Sequence, residues 1–197
     1  MEFTVLMQPE LSTSRLLLRP FHISDAAEVQ RLAGAREVAA TTAGIPHPYP
    51  DGAAEIWFKT QEEERQEGTA LVYAVCLKSS GVLLGAIGLK IDRESRHAEM
   101  GYWIGVPYWG HGYCTEAAEA LLQQAFHGLE LERVFARHFK LNPASGRVME
   151  KLGMRCEGCL RRHYFKWGDY IDLVIYGILR SEWIERRQQA GNKRESL

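Results

Sequence analysis

The sequence predicts a single α/β domain with a mixed, mostly antiparallel sheet flanked by helices. Three observations lead there. Strand-like and helical segments follow one another in the order β-α-α-β-β-β-α-β-α-β-β. A strand near residues 97–105 runs through a Gly-x-Gly turn into an amphipathic helix. The chain has 197 residues, 46% hydrophobic and 25% charged, which suits one sizeable core. The core is expected over about 13–182, followed by a charged tail, about 183–197, that frays.

The elements read as follows. Residues 15–21 form a first strand ended near Pro20. Ser24 is the expected N-cap of a helix over about 25–35. The stretch 41–50, with Gly44, Pro46, Pro48 and Pro50, is a loop. Asp51 can cap a helix that Gly68 stops. Strands 70–78 and 82–91 are joined by Ser79-Ser80-Gly81, a hairpin signal. In 97–105, alternation puts Ala98, Met100, Tyr102 and Ile104 on one face and Glu99, Gly101 and Trp103 on the other. Gly101 and Gly105 hint at a bulge there. Over 113–128, Ala117, Ala118, Leu121, Leu122, Ala125 and Phe126 make a helical stripe. Strand 133–139 follows. Asn142-Pro143 then starts a helix that Leu152-Gly153 ends. Strands 154–166 and 169–179 finish the sheet.

The bulk properties narrow the function. A net charge of -1 gives no global reason to expect nucleic acid as a partner. The opening Met-Glu-Phe-Thr-Val-Leu-Met lacks a basic segment followed by a long apolar run, so no signal peptide and a cytoplasmic location are expected. No apolar stretch approaches the roughly 18 residues of a membrane span. Cys156 and Cys159 form a CxxC without a second ligand pair. On a regular strand the two point to opposite faces, so reduced, partly buried thiols are expected rather than a metal site.

The chemistry concentrates in Val106-Pro-Tyr-Trp-Gly-His-Gly-Tyr-Cys-Thr-Glu-Ala117. Gly110 and Gly112 permit positive φ and close backbone approach. The free N–H groups of the helix start then form an anion site suited to a pyrophosphate. No Lys-Ser or Lys-Thr follows the glycines, so this is not a nucleotide-triphosphate P-loop. Thr115 stands where the third glycine of a dinucleotide fingerprint would be. A bare Gly-x-Gly would equally serve as a strand-to-helix turn that binds nothing.

Several segments in order decide between these readings. Thr13-Ser-Arg-Leu-Leu-Leu-Arg19, Ala98-Glu-Met-Gly-Tyr-Trp103, Tyr108–Ala117, Asn142-Pro-Ala-Ser145, Met149-Glu-Lys-Leu-Gly-Met154 and Glu157-Gly158 together resemble the GNAT superfamily, in its RimJ/RimL-like branch. The family's pyrophosphate motif opens with Gln or Arg; here Pro107 stands at that position, a departure common in the branch. The resemblance implies a sheet splayed between the 97–105 and 133–139 strands, with acetyl-CoA as co-substrate and no metal. It places the pantetheine arm in the splay, against backbone groups near Ile104 and Val106. The backbone around Trp109, Gly110, His111, Gly112, Tyr113, Cys114 and Thr115 would hold the pyrophosphate. Asn142 and Ser145 would line the far side, near the thioester.

Acetyl transfer needs a free amine, a path for its proton and donors for the oxyanion. Glu99 is the expected base, because a carboxylate in a partly buried cleft is a better one. The alternative is a strand glutamate paired with an arginine. Tyr164 and Ser145 are the further catalytic candidates, Tyr164 as acid for the leaving thiolate or simply a packing aromatic. A backbone N–H near Val106 would serve the oxyanion. The His111 ring is expected in solvent, and His138 and His163 in core or surface roles. Cys114 sits at a helix start, which lowers a thiol pKa, yet direct transfer needs no nucleophile. Trp57, Phe58, His47 and Tyr49 are available to line the acceptor pocket; Glu62-Glu-Glu64 reads as a solvated face. The branch favours a protein N-terminal amine as acceptor. A small-molecule amine (polyamine, amino acid or antibiotic) or a non-catalytic acyl-CoA-binding module are the alternatives. A homodimer is the assembly expected.

Overall fold

The computed structural model describes residues 5–195, with side chains through Gln189. Met1–Thr4, part of the opening segment read for targeting, and the last residues of the charged tail lie outside the described residues. The strands are β1 (Leu11–Ser12), β2 (Leu16–Arg19), β3 (Ala70–Leu77), β4 (Leu83–Asp92), β5 (His97–Ile104), β6 (Arg133–Phe139), β7 (Arg155–Lys166) and β8 (Asp169–Leu179). They form one sheet in the order β1-β2-β3-β4-β5-β6-β8-β7. Every neighbouring pair is antiparallel except β5–β6. The helices are α1 (Ala26–Ala33), α2 (Arg36–Thr41), α3 (Ala53–Glu67), α4 (Tyr113–Gln123), α5 (Pro143–Lys151) and α6 (Arg180–Glu195).

The sheet carries a core on each face. On one, α4 buries Ala117, Ala118, Leu121 and Leu122 against Leu71, Leu89, Ala98 and Met100. The stripe continues through Ala125 and Phe126 in a single π turn, Gln124–Gly128. On the other face, Ala26, Val29, Ala33 and Ala54 meet Ala74, Cys76 and Leu83, with Trp57, Phe58 and Trp103 packed around them. Because β4 lies between these two cores, it is buried almost continuously rather than alternately.

The parallel pair positions the site. β5 and β6 are in register from His97↔Arg133 to Met100↔Ala136, and then they part. β5 stays bound to β4 through Ile104, and β6 stays bound to β8 through Phe139. The expected splay is therefore present, beginning after Met100. The β4–β5 register is unbroken, so Gly101 makes no bulge.

Several local readings need correction. Ser24 is not a cap. It sits inside a 3₁₀ turn, Ile23–Asp25, and Asp25 does the organising. The Asp25 carboxylate accepts the His22 N–H at 2.8 Å and both ends of the Arg19 guanidinium, at 2.7 and 2.9 Å. The helix expected over about 25–35 is α1, ending at Gly34, and a further short helix not expected from the sequence, α2, follows it. Gly52, in the left-handed region at φ 77°, takes the cap position of α3; Asp51 instead accepts from Gln30 Nε2 at 2.6 Å. The CxxC argument from strand parity also fails. A register shift between Cys156 and Gly158 leaves Cys156 opposite Tyr176 and Cys159 opposite Val174, hence on one face. Both thiols are free and exposed, not partly buried.

The tail differs most from expectation. Helix α6 runs through the stretch read as frayed, and Trp183 is 0% exposed, 5.4 Å from the Phe126 ring. Trp183→Ala should cost about 3–5 kcal/mol of unfolding free energy in urea titrations. Trp183→Phe should cost far less, because the indole N–H has no acceptor among the described residues and its removal relieves a buried orphan donor.

Candidate active site

After Ile104 the chain makes a 3₁₀ turn, Val106–Tyr108, and reaches α4 through Trp109, Gly110, His111 and Gly112. Gly110 and Gly112 both have φ 80°. A side chain would find space at either position, so it is the left-handed backbone that calls for glycine. Among the described residues, none of the backbone N–H groups from Gly110 to Thr115 has a hydrogen-bond acceptor. The helix dipole of α4 adds to their field. Together they form a cradle of donors suited to an anion.

The loop is held from outside. Trp109 Nε1 donates to the Ile104 carbonyl at 2.6 Å, and Arg15 Nη1 donates to the His111 carbonyl at 3.0 Å. The exposed His111 ring stacks on Tyr113 at 5.6 Å, with the Arg15 guanidinium over the Tyr113 ring at 4.6 Å. Glu116, on the first turn of α4, is the anchor. It accepts from Thr13 Oγ1 (2.6 Å), Arg15 Nε (2.7 Å), the Arg15 N–H (2.9 Å) and Ser14 Oγ (3.0 Å). Partial burial pushes the Glu116 carboxyl up, but these hydrogen bonds outweigh it and bring it down to about 2.

A cleft of about 1080 Å³ runs from this loop through the splay to the α1–α3 face. Gly105 N–H donates to Leu84 O, so by parity the backbone groups of Tyr102 and Ile104 point away from β4 into the splay. The Ile104 carbonyl already holds the Trp109 indole, which is a correction to its expected freedom; Tyr102, not singled out beforehand, offers its backbone beside it. The Val106 N–H has no partner among the described residues.

Asn142 caps α5, its Oδ1 accepting from Ser145 N at 3.3 Å, and it lines the cleft. Ser145 is 8% exposed, and its Oγ lies 2.7 Å from the Tyr102 hydroxyl. Burial raises the Tyr102 phenol well above its ordinary value. Cys114 also lines the cleft, but burial pushes its thiol up to about 12, so the helix start does not activate it. Arg147 and Lys151, one turn apart on α5, add two cations to this wall. Sequence reasoning passed over them, although their i,i+4 spacing behind Asn142-Pro143 was available as a signal.

Two catalytic candidates have other partners. Glu99 is bidentate with Arg137, Nε to Oε1 and Nη2 to Oε2, both at 2.7 Å. Glu99 stands on β5 before the strands part, while Arg137 stands on β6 beyond that point, so the pair ties the fork on the acceptor face. Both carboxylate oxygens accept a charge-assisted bond, which weakens Glu99 as a free base. Tyr164 donates its hydroxyl to the Ala43 carbonyl at 2.8 Å, and its ring lies 5.1 Å from Phe139. That bond fastens the loop around Ala43 to β7, and Tyr164 still lines the cleft. His138 is 8% exposed; its Nδ1 lies 2.8 Å from the Phe139 carbonyl, which fixes the proton on that nitrogen. His163, Trp57, Tyr49 and Glu64 line the acceptor side, whereas Phe58 stacks on Phe21 at 4.8 Å. Glu62 and Glu63 pair with Arg65 and Lys59 on the exposed face of α3.

A split parallel pair, with an anion loop at its root and one cleft open to both faces of the sheet, defines a transferase that brings a pyrophosphate-bearing donor and an acceptor together from opposite sides. The chain belongs to the GNAT acetyltransferases: the family model described as "Acetyltransferase (GNAT) domain" matches residues 15–155. An uncharacterized N-acetyltransferase, p20, of Bacillus licheniformis is 29% identical over 175 residues, 88% of this chain and 97% of that one. The ribosomal-protein-serine acetyltransferase of Escherichia coli is 30% identical over 112 residues, 56% of this chain and 62% of that protein. RimL, the ribosomal L7/L12 alpha-N-protein acetyltransferase solved with coenzyme A, has a TM-score of 0.80 at 18% identity, over 87% of this chain and 98% of that one. That last likeness concerns the fold. The chain is an acetyl-CoA-dependent N-acetyltransferase. Among the described residues, no group of three His, Cys, Asp or Glu side chains could hold a metal ion, and no helix is long and apolar enough to cross a membrane.

The Glu116 anchor yields a pH signature. Its folded pKa is depressed, so its contribution is complete above the ordinary value of 4.5 and is lost as pH falls towards 2. Glu116→Gln should lower unfolding free energy by about 1–3 kcal/mol at pH 7. The difference from the parent protein should shrink in urea titrations repeated between pH 4.5 and 3.

Proposed function

We propose that this enzyme acetylates a protein N-terminal amine by direct attack on acetyl-CoA. The observation that carries the donor half is the run of unpaired amides from Gly110 to Thr115 at the mouth of the splay. They take the pyrophosphate, and Arg147 and Lys151 add positive charge on the α5 side. The pantetheine lies along the backbone of Tyr102, Ile104 and Val106. The Val106 N–H meets the thioester oxygen and stabilises the oxyanion as the amine attacks. Ser145, backed by the Tyr102 hydroxyl, donates a hydrogen bond to the departing thiolate, which takes its proton from water in the cleft. The amine must lose its proton to attack. Glu99 is the acidic group of the acceptor wall that stands at the fork, and because Arg137 occupies both its oxygens the proton reaches it through water.

The acceptor half rests on the continuation of the cleft onto the α1–α3 face, and on the ribosomal-protein-serine acetyltransferase among the relatives. A cytoplasmic location, where acetyl-CoA is made, accompanies this reading. So does a homodimer of the 22.4 kDa chain, which light scattering on a sizing column would test.

Thiol release from acetyl-CoA in the presence of N-terminally free peptides tests the function; silence across a broad peptide panel sinks the peptide acceptor. Ser145→Ala should lower kcat about 10²-fold with the KM for acetyl-CoA little changed. Glu99→Gln should cost less than Ser145→Ala and should also lower stability, because it strips Arg137 of its partner. The reverse order of kcat losses would return Glu99 to the role of direct base.

A further inference from the structure

Where the acceptor cleft meets solvent lies a second hollow of about 370 Å³, lined by 43–47 and 164–167. The two share Ala43, Gly44, Ile45, Pro46 and Tyr164, so the hollow is the outer end of the acceptor path. Trp167 forms its rim and is 49% exposed. Three groups surround that ring: Lys166 Nζ at 5.2 Å from the centroid, the Arg36 guanidinium at 5.5 Å, and the His47 ring at 5.9 Å.

Other cations of this molecule, Arg147 and Lys151 among them, also have no ion pair among the described residues, but here two such cations meet on one ring. Arg15, Arg19, Arg31, Arg65, Arg133 and Arg137 all pair with carboxylates. Among the described residues, neither Arg36 nor Lys166 has an acidic partner. Lys166 gives one hydrogen to the Thr42 carbonyl at 2.7 Å, and burial lowers its pKa. A partly dehydrated ammonium with only a neutral acceptor gains from an added anion. Arg36 on the face of Trp167 keeps its N–H edges for an oxyanion, since ring stacking uses only the guanidinium plane. The same charges repel a polyamine approaching the cleft.

We propose that Arg36 and Lys166, set on Trp167, form a subsite for the carboxylates of an acidic peptide, so that the preferred acceptor is an N-terminus followed within a few residues by Asp or Glu. This rests on the acetyl-transfer reading and deepens it from amine to acidic polypeptide.

The test has two arms. In turnover, peptides sharing the first residue but continuing with acidic, neutral or basic residues are compared at equal acetyl-CoA. The acidic peptide should have the highest kcat/KM, and Arg36→Gln with Lys166→Gln should cut its advantage over the neutral peptide about tenfold, through KM. Added salt should erode the same advantage. In binding, fluorescence anisotropy of an end-labelled acidic peptide is read on the CoA-loaded protein, where no chemistry occurs. Tight, salt-sensitive binding lost in the double variant supports the subsite even if no peptide is turned over, an outcome that would sink the transfer reading alone. Equal binding of acidic and neutral peptides, better competition by spermine, or better competition by an aminoacyl nucleotide of the same charge would each overturn the proposal.

Discussion

β5 and β6 share hydrogen bonds only as far as Met100 and Ala136, and everything functional in this fold follows from where that pairing stops. Each strand keeps its outer neighbour, so the sheet remains a single body while its centre opens. Opening a sheet leaves backbone donors and acceptors without partners, which is costly wherever water is excluded. The Ile104 carbonyl is rescued by the Trp109 indole. The remaining groups along the fork are an unmet demand for hydrogen bonds, and an amide-bearing pantetheine arm has the shape and polarity to meet it. The fork is braced on both faces. Glu99–Arg137 ties it on the acceptor side, and Tyr102–Ser145 ties β5 to the start of α5 on the donor side.

The anion loop depends on a clamp far away in sequence. Thr13, Ser14 and Arg15 converge on Glu116, and Arg15 also reaches the His111 carbonyl. The loop amides are therefore fixed before a ligand arrives. A donor set that need not reorganise stabilises charge more strongly than one that must. This gives a physical reason for the Thr13-Ser-Arg segment: it stiffens a site to which it contributes no amide from the loop itself.

Local signals in the sequence translated well, and signals that depend on distant partners did not. The α4 stripe, the Asn142-Pro143 start and the αL Gly68 are decided within a turn or two of chain, and each sits where its pattern placed it. Ser24 and Asp51 looked equally local, but Asp25 and Gly52 took their places once Arg19 and Gln30 were folded alongside. Trp183 stands in a charged stretch, and it is buried by partners distant in sequence, the Phe126 and His127 rings among them. Cys156 and Cys159 share a face because of a bulge, which no count of strand parity contains. At the site, the left-handed turn with its free amides was legible from Gly110 and Gly112 because it needs no side chain. Glu99 and Tyr164 were legible as cleft residues but not as partners of Arg137 and Ala43, since those contacts span 38 and 121 positions.

The division between clamp and side chains also orders the chemistry. In the proposed reading, the donor meets backbone amides and two α5 cations on one face of the sheet, and the acceptor meets the loop that Tyr164 and Lys166 fasten, on the other. With a net charge of -1, the chain has no general positive field, so Arg147 with Lys151 and Arg36 with Lys166 act as separate local patches divided by the sheet. The acceptor rim can therefore change its preference by substituting a few residues around Trp167 while the donor clamp stays intact. A fold arranged in this way fixes its cofactor in the backbone and leaves its substrate to the loops.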